Sequence, residues 1–268
     1  MDEHRLPLRR PFLIAAVLVS VFLALPLFVT LPVSLTPTRY VAIPTEELSL
    51  RHYREILTNP LWLRAFADSF LVALASAALA LILGTGGAVG VWRATGFAVG
   101  ALRALALLPL VAPPVVTALA LSRAWVTLGL FDTVPGVILA HAIVSMPFVF
   151  LTVSAGLAGL DPRIEQAARS LGAGPMRTVA SVLLPNLVPS MAAGGLFAFI
   201  ISWDEIVVTL FVSSRSVFTL PRQIWSGIRD NIDPAVAAVS VVTIVMTVVI
   251  GTAALALRRI GSGQRSGR

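Results

Sequence analysis

The chain has 268 residues and a formal net charge of +7; 57% of its residues are hydrophobic and only 12% are charged. Soluble domains carry about a quarter charged residues, so half that share excludes an ordinary water-soluble globule. All 20 basic residues are arginine and cysteine is absent, which excludes the lysine-bearing phosphate loop G-x-x-x-x-G-K-[ST], disulfides, thiolate metal sites and cysteine nucleophiles. His4, His52 and His141 show no zinc spacing.

The apolar residues fall in long blocks, and about 20 of them in a helix cross the hydrocarbon core. In chain order the blocks predict spans at 12–35, 66–92, 104–126, 136–157, 187–212 and 235–257. No ten-residue alternation supports a barrel, so the expectation is an all-helical polytopic membrane protein with six transmembrane helices. The first block is too long for a signal h-region and lacks an A-x-A site; it reads as a retained anchor. A pI near 11.4 would suit nucleic acid, but the arginines form no single soluble patch. They read as topology determinants. With the N-terminus inside, the inner segments hold 12 arginines, Arg93, Arg103, Arg163, Arg169 and Arg177 among them, against four acids. The outer segments hold eight against seven. Both termini are therefore expected in the cytoplasm, with lipid rather than nucleic acid as the surrounding partner.

Two connections are long. Residues 36–65, expected outside, contain the amphipathic stretch TEELSLRHYREIL, expected at the membrane surface. Residues 158–186, expected inside, are punctuated as two short helices. Asp161-Pro162 reads as an N-cap with proline at the first helical position, and Gly172 as a C-terminal stop. Gly174-Pro175 opens a second helix predicted to end before Pro185. Glu165, Ala168, Arg169 and Gly172 recur at i, i+3, i+4 and i+7, one helix face with small residues and a polar rim, suited to seating in a partner's groove.

Written out, that loop is E165-Q-A-A-R-S-L-G172-A-G-P-M-R-T-V-A-S-V182-L-L184-P185. It resembles the EAA loop of ABC importer permeases, E-A-A-x-x-x-G, nine residues, then I-x-L-P. Gln166, Ala167, Ala168 and Gly172 fill the first part, and Val182, Leu184 and Pro185 the second. Gln166 stands where the pattern has its glutamate, with Glu165 one place earlier. The resemblance extends to HAIVSMPFVF, SWDEIVVTLFVSS and TLPRQIWSGIRDNIDPAVAAVS, which are similar to permeases of spermidine/putrescine uptake systems, the second of the two permeases above all. Carriers of opines and aminoethylphosphonate share much of the pattern.

The resemblance implies a type I ABC importer permease fold in a bacterial inner membrane. It assigns ATPase coupling to Glu165, Gln166, Ala167, Ala168, Arg169, Gly172, Leu184 and Pro185. It also implies that the chain is not itself an enzyme and holds no cofactor, ATP and Mg belonging to two partner ATPase subunits. A second related permease, as a heterodimer, and an extracytoplasmic binding protein complete the implied assembly.

Within the spans, Asp204 and Glu205 form an acid pair beside Trp203. Charge inside a bilayer costs at least about 2.5–3.5 kcal/mol, so a functional role is the default. The pair suits an ammonium substrate through ion pairing and cation–π attraction; the competing reading is an interfacial pair bonded to arginine or backbone. Adjacent residues point about 100° apart on a helix, so only one acid is expected to face a pore. His141 is expected to be neutral and bonded to a neighbouring helix. Prolines 109, 113, 114 and 147 are expected to kink helices, with Val111–Thr117 as a pathway candidate, and the run Gly84–Gly90 to favour close helix contact. A different class, an ion-coupled secondary transporter using Asp204 and Glu205, would call for repeated halves, which the sequence lacks.

Overall fold

The computed structural model describes residues 9–45, 47–230 and 233–263, and among them every regular element is helical. His4 and the terminal charges Asp2, Glu3, Arg5, Arg265 and Arg268 lie outside the described residues. The chain divides into two compact units, Met1–Leu63 with Ile224–Arg268, and Arg64–Gln223.

In the first unit, α1 (Arg9–Ser34) and α2 (Arg51–Thr58) each pack against α12 (Ala235–Gly263). The most apolar window of α1 has no buried residue; its side chains, Leu18 and Phe22 for example, point away from the chain's own interior. Ser34 Oγ lies 2.8 Å from the Tyr53 hydroxyl and joins α1 to α2. Within the amphipathic stretch residues 51–57 are helical, as part of α2, and His52 and Ile56 are buried.

The second unit holds α3 (Pro60–Arg93) from Arg64 onward, then α4 (Phe97–Val111), α5 (Pro114–Leu128), α6 (Val134–Ala158), α7 (Pro162–Ser170), α8 (Pro175–Thr178), α9 (Leu184–Asp204) and α10 (Val207–Val212). Its centre is the α6–α9 pair, where Val149, Phe150, Val153 and Leu157 meet Leu183, Leu187 and Ala198. Lipid tails are as apolar as leucine, so such contacts rest on close van der Waals fit and small residues rather than on escape from water. Gly84 shows why: a Cβ there would lie 2.7 Å from Cβ of Val149, closer than carbon atoms approach, while Gly86 and Gly90 have open space around them. The small-residue run is therefore a contact surface along one face, with Gly84, Thr85, Ala88 and Val89 buried and Gly86 and Gly90 exposed.

Four helical stretches are long and apolar enough to cross a bilayer: Pro11–Ser34, Pro60–Arg93, Val134–Ala158 and Pro175–Asp204. A fifth is reached if Val99–Val111 and Pro114–Leu128 form one crossing, and Ala235–Val249 is a shorter apolar helix.

Two predicted spans are interrupted. The one expected at 104–126 starts earlier, at Phe97, and bends by 107° between α4 and α5. A residue before proline is disfavoured in the α region, and here two prolines follow one another. Ala112 and Pro113 accordingly adopt ψ of 139° and 135°. The span expected at 187–212 breaks at Glu205, whose ψ is 113°, and continues as the six-residue α10. At its inner end that same span is longer than expected. The second loop helix does not stop before Pro185 but runs on through a π-helical turn, Val179–Leu183, into α9. Proline offers no N–H and its ring collides with the carbonyl four residues back; widening the preceding turn accommodates it without ending the helix. Asn186 Nδ2 donates to the Val182 carbonyl at 2.8 Å and so satisfies part of the loosened backbone.

Inside the second unit, α5 packs on α10 and α10 on α6. Ala118 and Trp125 of α5, Val137 and Ala140 of α6, and Val208 and Val212 of α10 form a separate core with Val72. The far halves of the two broken spans are thus packed on one another.

Candidate functional site

Residues 158–175 are built as their punctuation dictates. Asp161 Oδ1 accepts from the Arg163 amide at 2.9 Å, capping α7, and Pro162 takes the first helical position. At the other end the Gly172 amide donates to Arg169 O and the Ala173 amide to Ala168 O, at 3.0 and 3.1 Å. That crossed pair is a Schellman cap, which needs a left-handed residue, and Gly172 supplies it with φ of +83°. No residue of α7 is buried. Gln166, Ala167 and Arg169 are exposed, as are the apolar Ile164, Leu171 and Met176.

Glu165 differs from its neighbours. It turns to its own chain and accepts from Nη2 of Arg93, the last residue of α3, while Nη1 of Arg93 donates to the Pro175 carbonyl at 3.2 Å. Trp92, Arg93, Pro162, Glu165, Gln166, Arg169 and Pro175 line a pocket of about 420 Å³ there. Ala168 is half-buried, so the i, i+3 face divides: Glu165 and Ala168 turn inward, Arg169 and Gly172 outward. Leu184 and Pro185 stand apart from α7, at the start of α9, where Leu184 is half-buried and Pro185 exposed.

The acid pair sits at the α9–α10 break. Glu205 Oε1 accepts from the Val208 amide at 2.9 Å and thereby caps α10. Asp204 is exposed, and among the described residues no arginine pairs with either acid. Trp203, the pathway candidate beside the acids, is buried, with its ring stacked on Phe199 at 5.9 Å. Phe199 in turn meets Phe70 edge to face at 6.2 Å. Indole and carboxylate therefore do not form one open site.

His141 holds the break together. From α6 its Nδ1 lies 2.9 Å from Ser202 Oγ on α9, and its Nε2 lies 2.8 Å from Thr209 Oγ1 on α10. A neutral imidazole offers one donor and one acceptor, so a single ring satisfies both hydroxyls. The expected bond to a neighbouring helix becomes two bonds, one on each side of the interruption.

A second polar knot joins the far ends of the broken spans. Asp132, with φ of +56°, lies in the loop between α5 and α6. Its Oδ1 accepts from the amides of Ser214, Arg215 and Ser216, at 2.7, 2.9 and 3.0 Å, and from the Ser213 hydroxyl, all just beyond α10. Burial acts to raise its pKa, but the amides of Ser216, Arg215 and Ser214 and the Ser213 hydroxyl outweigh it and hold the carboxyl far below the usual range. Arg222 closes the same loop by donating to the carbonyls of Ser213, Val217 and Ser214 and lies over the Phe218 ring at 4.4 Å. Its partial desolvation lowers its pKa, against the opposing pull of Asp132. Neither Arg93 nor Asp132 is marked by the sequence beyond its charge, because each finds its partners about 70–85 residues away.

The family model for the binding-protein-dependent transport system inner membrane component matches residues 96–261. The chain is 28% identical over 232 residues to the spermidine/putrescine transport system permease protein PotC of Haemophilus influenzae, covering 87% of this chain and 90% of the relative. It is 31% identical to the putrescine transport system permease protein PotI of Escherichia coli, covering 81% and 80%. It is 34% identical to the molybdenum transport system permease protein ModB of Mycobacterium bovis, covering 86% and 94%. In fold it resembles a chain of a bacterial ABC transporter that imports the acidic polysaccharide alginate, with a TM-score of 0.71 at 16% identity, over 95% of this chain and 98% of that one.

Proposed function

The chain belongs to the family of inner membrane components of binding-protein-dependent transport systems, and from that premise we propose that it is the ABC importer permease through which a polyamine or closely related amine crosses the membrane. The observation that carries the substrate class is Asp204: a carboxylate with no arginine paired to it among the described residues, at a point where the helix is broken. An interrupted span frees carbonyls, and the C-terminal end of α9 adds partial negative charge. Together they favour a cation. The relative at 34% identity is named for molybdenum transport; an unneutralised carboxylate would repel an oxyanion, which argues for the amine of the other two relatives.

In this reading the chain crosses the membrane six times, counting each broken span as one crossing and α12 as the sixth, with both termini in the cytoplasm. Two ATPase subunits, a second permease and an extracytoplasmic receptor complete the importer. The α7 loop takes the ATPase through Gln166, Ala167, Arg169 and the exposed Ile164, Leu171 and Met176. The test is uptake of labelled putrescine, spermidine and molybdate by the reconstituted complex. Asp204→Asn is expected to lower amine uptake about tenfold, the loss of one partly desolvated ion pair. Glu205→Gln keeps its capping oxygen and changes uptake far less. Molybdate uptake with no amine uptake, or equal rates in wild type and Asp204→Asn, would refute the substrate assignment.

A further inference from the structure

We propose that Arg93 is the positioning residue that ties the ATPase-facing loop to α3, so that ATPase movement reaches α3 directly and not only through the chain-adjacent α6 and α9. The inference rests on the coupling-loop reading above and deepens it.

Three observations carry it. First, one guanidinium grips both arms of the loop: Nη2 holds Glu165 of α7 and Nη1 holds the Pro175 carbonyl at the start of α8, on either side of the Gly172 turn. A planar fork with two acceptors fixes orientation as well as distance, which a lysine ammonium could not do. Second, the ion pair is sheltered, its side chains being 26% and 16% exposed, so it is screened less than a surface pair. Third, among the described residues it is the only side-chain ion pair between α7 and a long helix. The chain links of α7 to α6 and α8 both pass through glycine, at Gly159 and at Gly172 and Gly174. A push on α7 that would otherwise be taken up at those joints is transmitted to the end of a 34-residue helix, which is packed against α6 at Gly84.

The same geometry explains the shifted acid in the loop motif. Glu165 is engaged inward by Arg93, and Gln166 at the next position is exposed. The side chain presented to the ATPase is thus a neutral amide, and the carboxylate serves the permease's own frame.

The experiment uses the full complex, permeases, ATPases and receptor, in proteoliposomes, and reads amine uptake per ATP hydrolysed together with ATPase co-purification. Arg93→Ala and Glu165→Gln are expected to lower the uptake-to-hydrolysis ratio about tenfold, the loss of one charge-assisted hydrogen bond, with the ATPase still bound. Arg93→Glu is expected to be worse, and the exchange Arg93→Glu with Glu165→Arg to recover part of the loss, because the ion pair is restored while a carboxylate at position 93 cannot donate to the Pro175 carbonyl. If Arg93→Glu fails to insert, Arg93→Ala and Glu165→Gln decide. A wild-type ratio in Arg93→Ala, or no recovery in the exchange, overturns the proposal. Gly172→Val separates the two layers. If it releases the ATPase while the Arg93 variants behave as wild type, the loop reading survives and the latch falls. If it too binds the ATPase and transports normally, the reading beneath both falls.

Discussion

The chain interrupts two of its spans, by opposite means. Between α4 and α5 the backbone makes the break: the consecutive Pro113 and Pro114 disfavour helical geometry at Ala112 and Pro113, and among the described residues no side-chain hydrogen bond bridges the 107° bend. Between α9 and α10 there is neither proline nor glycine in Trp203-Asp204-Glu205-Ile206-Val207. Side chains make that break: Glu205 caps the new helix, and His141 holds a hydroxyl from each half. A break written into the backbone is permanent. One held by side chains is an equilibrium, available to a protein that must alternate between conformations.

Removing the staple is the strongest way to test the difference. His141→Leu leaves the buried Ser202 hydroxyl without its partner, while Thr209 Oγ1 keeps the Glu205 carbonyl at 3.2 Å, a loss of about 2–4 kcal/mol from one orphaned hydroxyl and one lost hydrogen bond. Membrane-helix bonds average less, which sets the lower bound. The purified complex is expected to melt at lower temperature, and a spin-label pair flanking residues 200–210 to show a broadened distance distribution. An unchanged distribution would mean that packing of Val208 and Val212, not the imidazole, sets the break.

Next in size is the knot that joins the C-terminal ends of α5 and α10. Asp132→Ala frees the amides of Ser214, Arg215 and Ser216 to water at a half-exposed site, for an expected loss of about 1–3 kcal/mol. Because the folded pKa lies below the unfolded value near 3.9, the contribution is complete above about pH 5 and is lost as pH falls through the folded pKa. Wild type minus Asp132→Ala should therefore be constant from pH 6 to 8 and shrink only in strong acid; a difference that varies across neutrality would contradict it.

The prolines give the smallest energetic effect and the sharpest geometric one. Pro113→Ala or Pro114→Ala alone leaves the other proline to hold the bend and changes stability by less than about 1 kcal/mol. Only the double variant permits a continuous helix. The cysteine-free chain allows spin labels at Ala104 and Ala124 without background. Their distance is expected to move in the double variant alone, and movement in either single variant would show that the two residues do not act redundantly.

What the sequence discloses and what it withholds follow the same division. The caps of α7, the left-handed Gly172 and the prolines of the α4–α5 bend are local, set by a residue and its immediate neighbours, and they can be read in order along the chain. Even so, continuous hydropathy across 104–126 concealed how far the double proline turns the helix. The break at Glu205 was hidden because hydropathy does not register a capping carboxylate, and its staple lies 61 and 68 residues away. Pro185 misled in the other direction: it reads as a stop, and a π turn carries the helix past it. Trp203 read as an open partner for the acids because adjacency in sequence says nothing about which side of a helix is already taken by Phe199.

The bare surface of α1 bears on how the protein is made. Its hydropathy, 2.9 against 1.6 for Pro175–Asp204, lets it partition into lipid with no help from later segments. A segment carrying an acid at its end enters less readily by itself and gains from waiting for α6, whose His141 and close-packed valines receive it. The two helices thus differ in what insertion asks of them: α1 needs only lipid, while the half-polar α9 needs a partner helix.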